Sequence, residues 1–302
     1  GALAASRLLQ RGPARLLPFG ILLLALGAEG REQLIRHRAA ASAPVRSVGI
    51  TASLARPITT TDLVTHFYEL PEAALRVKRL RVAQLSDWHV SAHLPKAYFE
   101  HALDSVVAEQ PDLILLTGDY VSRSESLPLL AQVLGGRLHA RLGVFAVLGN
   151  HDFWTAPDAV RRTLSAAGIT LLGSGCVRLP ESAGRVSVCG TEAPWGPKRE
   201  AALPAGELSL VLSHTPDNIY ALSALGASVV FSGHTHGGQL RLPGLGALII
   251  PSRYGRRFDE GHFLVGSTHL FVSSGLGADE PALRVYCRPD VIIVDLLNDA
   301  AS

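Results

Sequence analysis

From Arg81 onward the chain repeats one pattern, a short apolar run that ends in a polar cluster. Val82-Ala83-Gln84-Leu85 runs into Ser86-Asp87-Trp88-His89, Leu113–Leu116 into Thr117-Gly118-Asp119, and Val144–Leu148 into Gly149-Asn150-His151-Asp152. Leu208–Leu212 leads to Ser213-His214, and Val229-Val230-Phe231 to Ser232-Gly233-His234. Runs this short, bounded by Gly and Ser, predict buried strands rather than helices. Between them, Pro95–Glu109 and Ala156–Ala167 have helix length, the second with Asp158 near its start and Gly168 just past its end. Strands alternating with helices predict an α/β sandwich. In such folds ligands bind outside the carboxyl ends of the strands, and every polar cluster here lies at such an end.

Composition narrows what those ends can do. The 302 residues suffice for a large core, and 47% apolar against 18% charged residues excludes a disordered chain. Lys+Arg 28 against Asp+Glu 26 leaves a net charge of +2, which gives no reason to expect a nucleic-acid surface. Three cysteines (Cys176, Cys189, Cys287) are too few and too scattered for a disulfide framework or a Cys-rich zinc site. With twelve histidines available, any metal is expected on imidazole and carboxylate.

The clusters supply such donors. Asp87 and His89 are two apart, which in an extended segment aims both to one side, and His234 and His236 repeat that spacing. Asp119 follows a glycine that permits a sharp turn; Asn150 offers an amide oxygen and His214 another imidazole. Each cluster alone also reads as loop polarity, a turn or a helix cap. Together they are too many ligands for one tetrahedral zinc but suit two divalent ions, Mn, Fe or Zn, that share a bridging group.

Near the N-terminus, Leu16–Ala28 is apolar apart from Pro18, with Arg7, Arg11 and Arg15 before it and Arg31, Arg36 and Arg38 after. At roughly 13 residues it falls short of the about 20 that cross a bilayer. Three readings stand: the tail of a truncated membrane segment or anchor, a signal peptide, or a buried helix. Residues 1–38 are therefore set apart as an apolar, Arg-rich anchor. Residues 39–78, punctuated by Pro44, Pro57 and Pro71, read as a connector leading into or pairing with the first strand, and 79–298 as the main domain. The expected state is a monomer.

In order and in residues, these clusters resemble the calcineurin-like metallophosphoesterases. The matching blocks are Asp87-x-His89, Gly118-Asp119, Gly149-Asn150-His151-Asp152, His214 and Gly233-His234-x-His236, within about Val82 to Leu296. Gly233–Gln239, Ser213–Asp217, Ser274–Gly277 and Cys287–Asp290 are similar to the bacterial branch typified by YaeI and YkuE. The resemblance implies a four-layer αββα sandwich of two mixed sheets. It implies one metal on Asp87, His89 and His236, a second on Asn150, His214 and His234, and Asp119 bridging. Hydrolysis of a phosphodiester or pyrophosphate by a hydroxide shared between the metals would follow.

On the same resemblance His151 is the general acid, with Asp152 either fixing its tautomer or serving as a helix N-terminal residue. Gly237 and Gly238 would keep the loop slim for substrate. Trp88, where relatives carry an aliphatic residue, is expected beneath the site, and Arg123 on the surface, because Ser122 and the missing glycine break the protein-phosphatase arginine pattern. Arg199 and Tyr254, in loops that combine aromatics with cations, read as substrate contacts or as ordinary solvated loop. In this branch substrates include lipid headgroups such as UDP-2,3-diacylglucosamine, and the implied location is the bacterial inner membrane, with export as the alternative. Competing functions are a phosphomonoesterase or protein phosphatase, and a non-catalytic scaffold of the same fold.

Overall fold

The computed structural model describes residues 27, 29–31, 33–50, 53–198, 202–298 and 300. Apart from Gly27, the apolar run Leu16–Ala28 lies outside them, as does Arg199. The strands are β1 (Arg46–Gly49), β2 (Val64–Pro71), β3 (Arg79–Leu85), β4 (Leu113–Leu116), β5 (Val144–Ala146), β6 (Thr170–Leu171), β7 (Cys176–Arg178) and β8 (Val186–Thr191). They continue with β9 (Leu208–Ser213), β10 (Val229–Ser232), β11 (Arg241–Leu242), β12 (Gly246–Ala247), β13 (Gly261–Val265), β14 (Thr268–Val272) and β15 (Asp290–Leu297). Residues 33–39 are helical, and the helices that follow are α1 (Lys96–Ala108), α2 (Leu127–Leu134), α3 (Asn150–Thr155), α4 (Pro157–Ala166) and α5 (Ile219–Ala224).

Two large mixed sheets form. One has seven strands in the order β1-β2-β15-β3-β4-β5-β6, the other six in the order β13-β14-β10-β9-β8-β7. Strands β3 to β6 run parallel, as do β8, β9, β10 and β14, so the ends of β3, β4, β5, β9 and β10 open toward one edge. Residues 39–78 contribute β1 and β2, and β2 pairs in parallel with β15 rather than with β3.

Why both faces of these strands are apolar is visible residue by residue. Ile114 and Leu116 pack with Phe99, Leu103, Leu130 and Leu164 of the helices, whereas Leu113 and Leu115 pack between the sheets with Leu210, Leu212 and Phe231. On β15, Val291 and Ile293 face the helices while Ile292, Val294 and Leu296 face the opposite sheet. Val211, Val230, Leu270 and Val272 fill a third core with Ile219 and Leu222 of α5. Three cores between two sheets and two helical flanks make the four-layer arrangement.

The cysteines form one bond rather than a framework. Cys176 on β7 stands opposite Cys189 on β8 and is disulfide-bonded to it, while Cys287 is free and buried. Strand register, invisible in a spacing of three scattered cysteines, brings that pair together. Among the described residues no helix is long and apolar enough to cross a membrane.

Phe231 and Phe271 are register neighbours on β10 and β14, with rings stacked 5.6 Å apart between the sheets. Truncation there leaves a cavity the sheets cannot close. Phe231→Ala is expected to cost about 3–5 kcal/mol in urea denaturation; a loss below about 1 kcal/mol would contradict this packing.

Candidate metal centre

At the shared edge of the sheets, donors from separate strand ends converge. Ligand atoms of Asp87, His89 and His236 lie within 4.8 Å of one another, as do those of Asp119, His214 and His234, and those of His89, Asp119 and His151. Asp119 joins the groups: its Oδ2 is 3.1 Å from His214 Nε2 and 3.7 Å from His89 Nε2. His236 Nε2 stands 3.1 Å from His89 Nε2 and 3.5 Å from Asp87 Oδ1, and Asn150 Oδ1 is 3.1 Å from His214 Nε2. All seven side chains predicted to bind metal thus meet in one place.

The backbone is bent to bring them there. Asp87 (φ 48°), His89 (φ 42°), Asp119 (φ 57°), His234 (φ 69°) and His236 (φ 52°) all hold left-handed conformations. Such a conformation costs a non-glycine residue about 1–3 kcal/mol and collects at functional sites. This corrects the expected extended i, i+2 geometry: Asp87 and His89 converge because both have left the strand, not because they alternate along it. Gly118 shows why glycine precedes Asp119. Its φ is 99°, and a Cβ there would lie 2.5 Å from the Gly149 nitrogen and 2.9 Å from His214 Nδ1.

The hydrogen bonds behind the donors decide which nitrogen is available. His214 Nδ1 donates to the Thr117 carbonyl at 2.7 Å, so Nε2 is the atom aimed at Asp119. His89 Nδ1 bonds Ser122 Oγ at 2.6 Å. A bare Nε2 lone pair facing a carboxylate oxygen is repulsive unless a proton or a cation stands between them. Burial resists charging His214, but the Asp119 carboxylate outweighs it and raises the imidazole to about 9. Against the same burial, His214 holds Asp119 well below the usual carboxylate range. Burial lowers His89 and His234 to about 4 and His236 well below its ordinary value, and pushes Asp87 up to about 6. His89, His234 and His236, kept neutral around deprotonated Asp119, form a donor set that fits divalent cations.

Asp152 takes the second of its two sequence readings, a residue of a helix N-terminus: it is fully buried in the first turn of α3 rather than a partner of the His151 ring. Its Oδ2 accepts from the backbone N–H of Asp119 and Gly149, and its Oδ1 from those of Tyr120 and Val121. It ties the Asp119 turn to the start of α3. Besides Asp119, the carboxylate near the His151 ring is Asp279, with Oδ2 3.6 Å from Nε2. Gln239 holds Asp279 by accepting from its N–H and donating to its carbonyl. Asp279 belongs to no motif, although it lies within the stretch bounded by Ser274–Gly277 and Cys287–Asp290. Arg284 was also missed: it is fully buried and donates to the carbonyls of Ser274, Gly275, Gly277 and His236, bracing the turn that carries His236.

A Cβ on Gly237 (φ 58°) would meet Glu260 Oε2 and Cys287 Sγ, so protein rather than substrate fills the space its missing side chain leaves. Trp88 is buried in the helix-side core beside Tyr120, and Arg123 is exposed and paired with Glu280. Tyr254 packs on Tyr220 and Phe258 against the third core. Two other aromatics flank the donors: the Trp195 ring is 5.1 Å from that of His234, and the Trp154 ring, 66% exposed, is 5.2 Å from that of His151.

The family model for calcineurin-like phosphoesterases matches residues 80–238, which contain all seven of these donors. The chain belongs to the calcineurin-like phosphoesterase family. It is 32% identical over 228 residues to the phosphodiesterase YaeI of Escherichia coli, covering 72% of this chain and 82% of that one. It is 30% identical over 230 residues to YkuE of Bacillus subtilis, an uncharacterized metallophosphoesterase, at 72% and 78% coverage. It is 28% identical over 267 residues to the UDP-2,3-diacylglucosamine pyrophosphatase LpxG of Chlamydia trachomatis, at 65% and 80%. Among solved structures, a dimetal phosphatase from Danio rerio matches with a TM-score of 0.46 and 12% identity, covering 73% of this chain and 93% of that one. The chain is accordingly a phosphoesterase of this family.

Asp152 supplies the acceptor for several buried backbone N–H groups at once, each costing about 1–3 kcal/mol when orphaned. Asp152→Ala is therefore expected to lower stability by at least about 3 kcal/mol in urea denaturation. A change below about 1 kcal/mol would show that the clamp contributes little.

Proposed function

We propose that this phosphoesterase is a two-metal hydrolase that cuts a phosphodiester or pyrophosphate bond. One observation carries the proposal: Asp119 stands between two donor sets, within 3.1 Å of His214 and 3.7 Å of His89. Asp87, His89 and His236 would hold one ion, and Asn150, His214 and His234 the other, with Asp119 common to both. No thiolate is in the set, which favours Mn, Fe or Zn over softer metals. A bound pair of divalent cations supplies a water acidic enough to attack at neutral pH and charge to offset that on the phosphate oxygens.

The chain's own groups account for the remaining steps. The His151 ring is 4.7 Å from that of His89 and stays partly open to solvent, where it can pass a proton to the departing oxygen. Asp279, rather than Asp152, is the side chain beside the ring that would orient it. A diester is preferred to a phosphoprotein because Arg123 is bound up with Glu280 instead of facing the donors. The names of YaeI and LpxG point the same way.

A lipid-linked substrate is the finer proposal. It is supported by the relationship to LpxG and by the apolar run Leu16–Ala28, with residues 1–38 acting as the anchor. The Cys176–Cys189 bond supports a membrane-associated domain facing an oxidising compartment.

Two experiments separate binding from chemistry. Asp119→Asn is expected to lower the content of both ions by elemental analysis of protein loaded with manganese or zinc; full retention would remove the bridge from the proposal. His151→Ala is expected to keep its metal and lose at least tenfold in turnover on a diester with an alkyl leaving group, within the about 10²–10⁴ that general acids contribute. Unchanged turnover on that substrate would assign the proton to another group.

A further inference from the structure

The hairpin that follows the histidine turn exposes its apolar side chains. Leu240, Leu242, Leu245, Leu248 and Ile249 are all exposed, Ile249 to 76%. The surface continues beyond the hairpin. Leu240 and Ile58 both bridge Val285, the exposed Leu54 accepts from Tyr286 through its carbonyl, and Leu54, Pro243 and Tyr286 line one cavity. On the other side stands Leu34, within the helical residues 33–39, where Gln33 donates to the Leu245 carbonyl. Arg256 donates to the same carbonyl while pairing with Glu29. Isolated exposed leucines are ordinary, whereas a contiguous apolar face marks an interaction site.

This face is rigidly joined to the donor cluster. The Gly238 backbone packs so closely on the hairpin that a Cβ there would lie 2.4 Å from the Ala247 Cβ. Arg241 donates to the carbonyl of Gly237, next to His236. Whatever holds the hairpin therefore bears on the turn that carries His236.

The chain itself indicates the occupant. The apolar run Leu16–Ala28 ends at Glu29 and Gln33, the residues bonded to the hairpin side, so the sequence's most apolar segment joins the fold at this face. Arg56, Asp62 and Arg288 line the cavity beside Leu54; Asp62 pairs with Arg56, so Arg288 leaves a net positive charge at the rim. An apolar centre with a cationic edge suits the headgroup boundary of an anionic bilayer. We propose that the 240–249 hairpin, with Leu34, Leu54 and Ile58, is a bilayer-docking face that seats Leu242, Leu245, Leu248 and Ile249 among the lipids. It presents the donor cluster to the headgroup layer. Docking itself is independent of the two-metal reading; only the substrate that it delivers rests on that reading.

The test uses the full chain with Ile249→Cys carrying an environment-sensitive fluorophore, since Cys287 is buried and the other cysteines are paired. Vesicles of phosphatidylcholine and phosphatidylglycerol are expected to brighten and blue-shift the emission, while the same dye at the exposed Glu181 position stays unchanged. Leu245→Glu with Ile249→Glu is expected to keep the unfolding midpoint and weaken the vesicle response of a dye at Leu242→Cys at least tenfold. Emission already blue without lipid would show that the chain's own N-terminal segment, or a second copy if it varies with protein concentration, covers the face, and would overturn the proposal. An unmoved dye on protein that sediments with vesicles would overturn it too. Hydrolysis of a water-soluble diester, followed in parallel, reports on the phosphoesterase reading alone.

Discussion

A buried carboxylate facing imidazole lone pairs from two sides cannot stand without positive charge, and the structure depends on how that charge is supplied. Asp119 has His214 on one side and His89 on the other, with hydrogen bonds behind these rings holding Nε2 toward it. A proton on His214 satisfies one side. Cations satisfy both, and left-handed backbone at five of the donors indicates that the fold accepts strain to keep the cluster open for them.

Strain of that kind persists only where the surroundings over-determine it. Three apolar cores fix the two sheets against each other, so the ends of β3, β4, β5, β9 and β10 cannot drift. Between those ends, hydrogen-bonded clamps set the turns: Asp152 gathers backbone N–H groups of the Asp119 turn and the α3 start, and Arg284 gathers carbonyls around the His236 turn. One is a carboxyl group collecting donors, the other a guanidinium collecting acceptors. Each fixes a loop without competing for the metal position.

Much of this was legible in the sequence because the chemistry is punctuated by the strands. Short apolar runs ending in Asp, Asn and His locate the carboxyl ends of the strands and the donors together. What stayed hidden depends on contacts across the fold. Asp152 follows His151 at the start of a helix, which leaves a ring partner and a helix N-terminal residue both open, and only the turn at α3 shows its carboxylate pointing into backbone amides. Asp279 acts through a loop that Gln239 places, with no local pattern to announce it. The Cys176–Cys189 bond needs the β7–β8 register, and the exposure of the 240–249 hairpin shows only when the rest of the apolar residues have found their cores.

The most direct test is crystallographic: anomalous scattering from protein crystals equilibrated with manganese or zinc. The account predicts two peaks about 3.5–4 Å apart, one on either side of the Asp119 carboxylate. A single peak, or metal bound elsewhere with the His214–Asp119 contact intact, would contradict it.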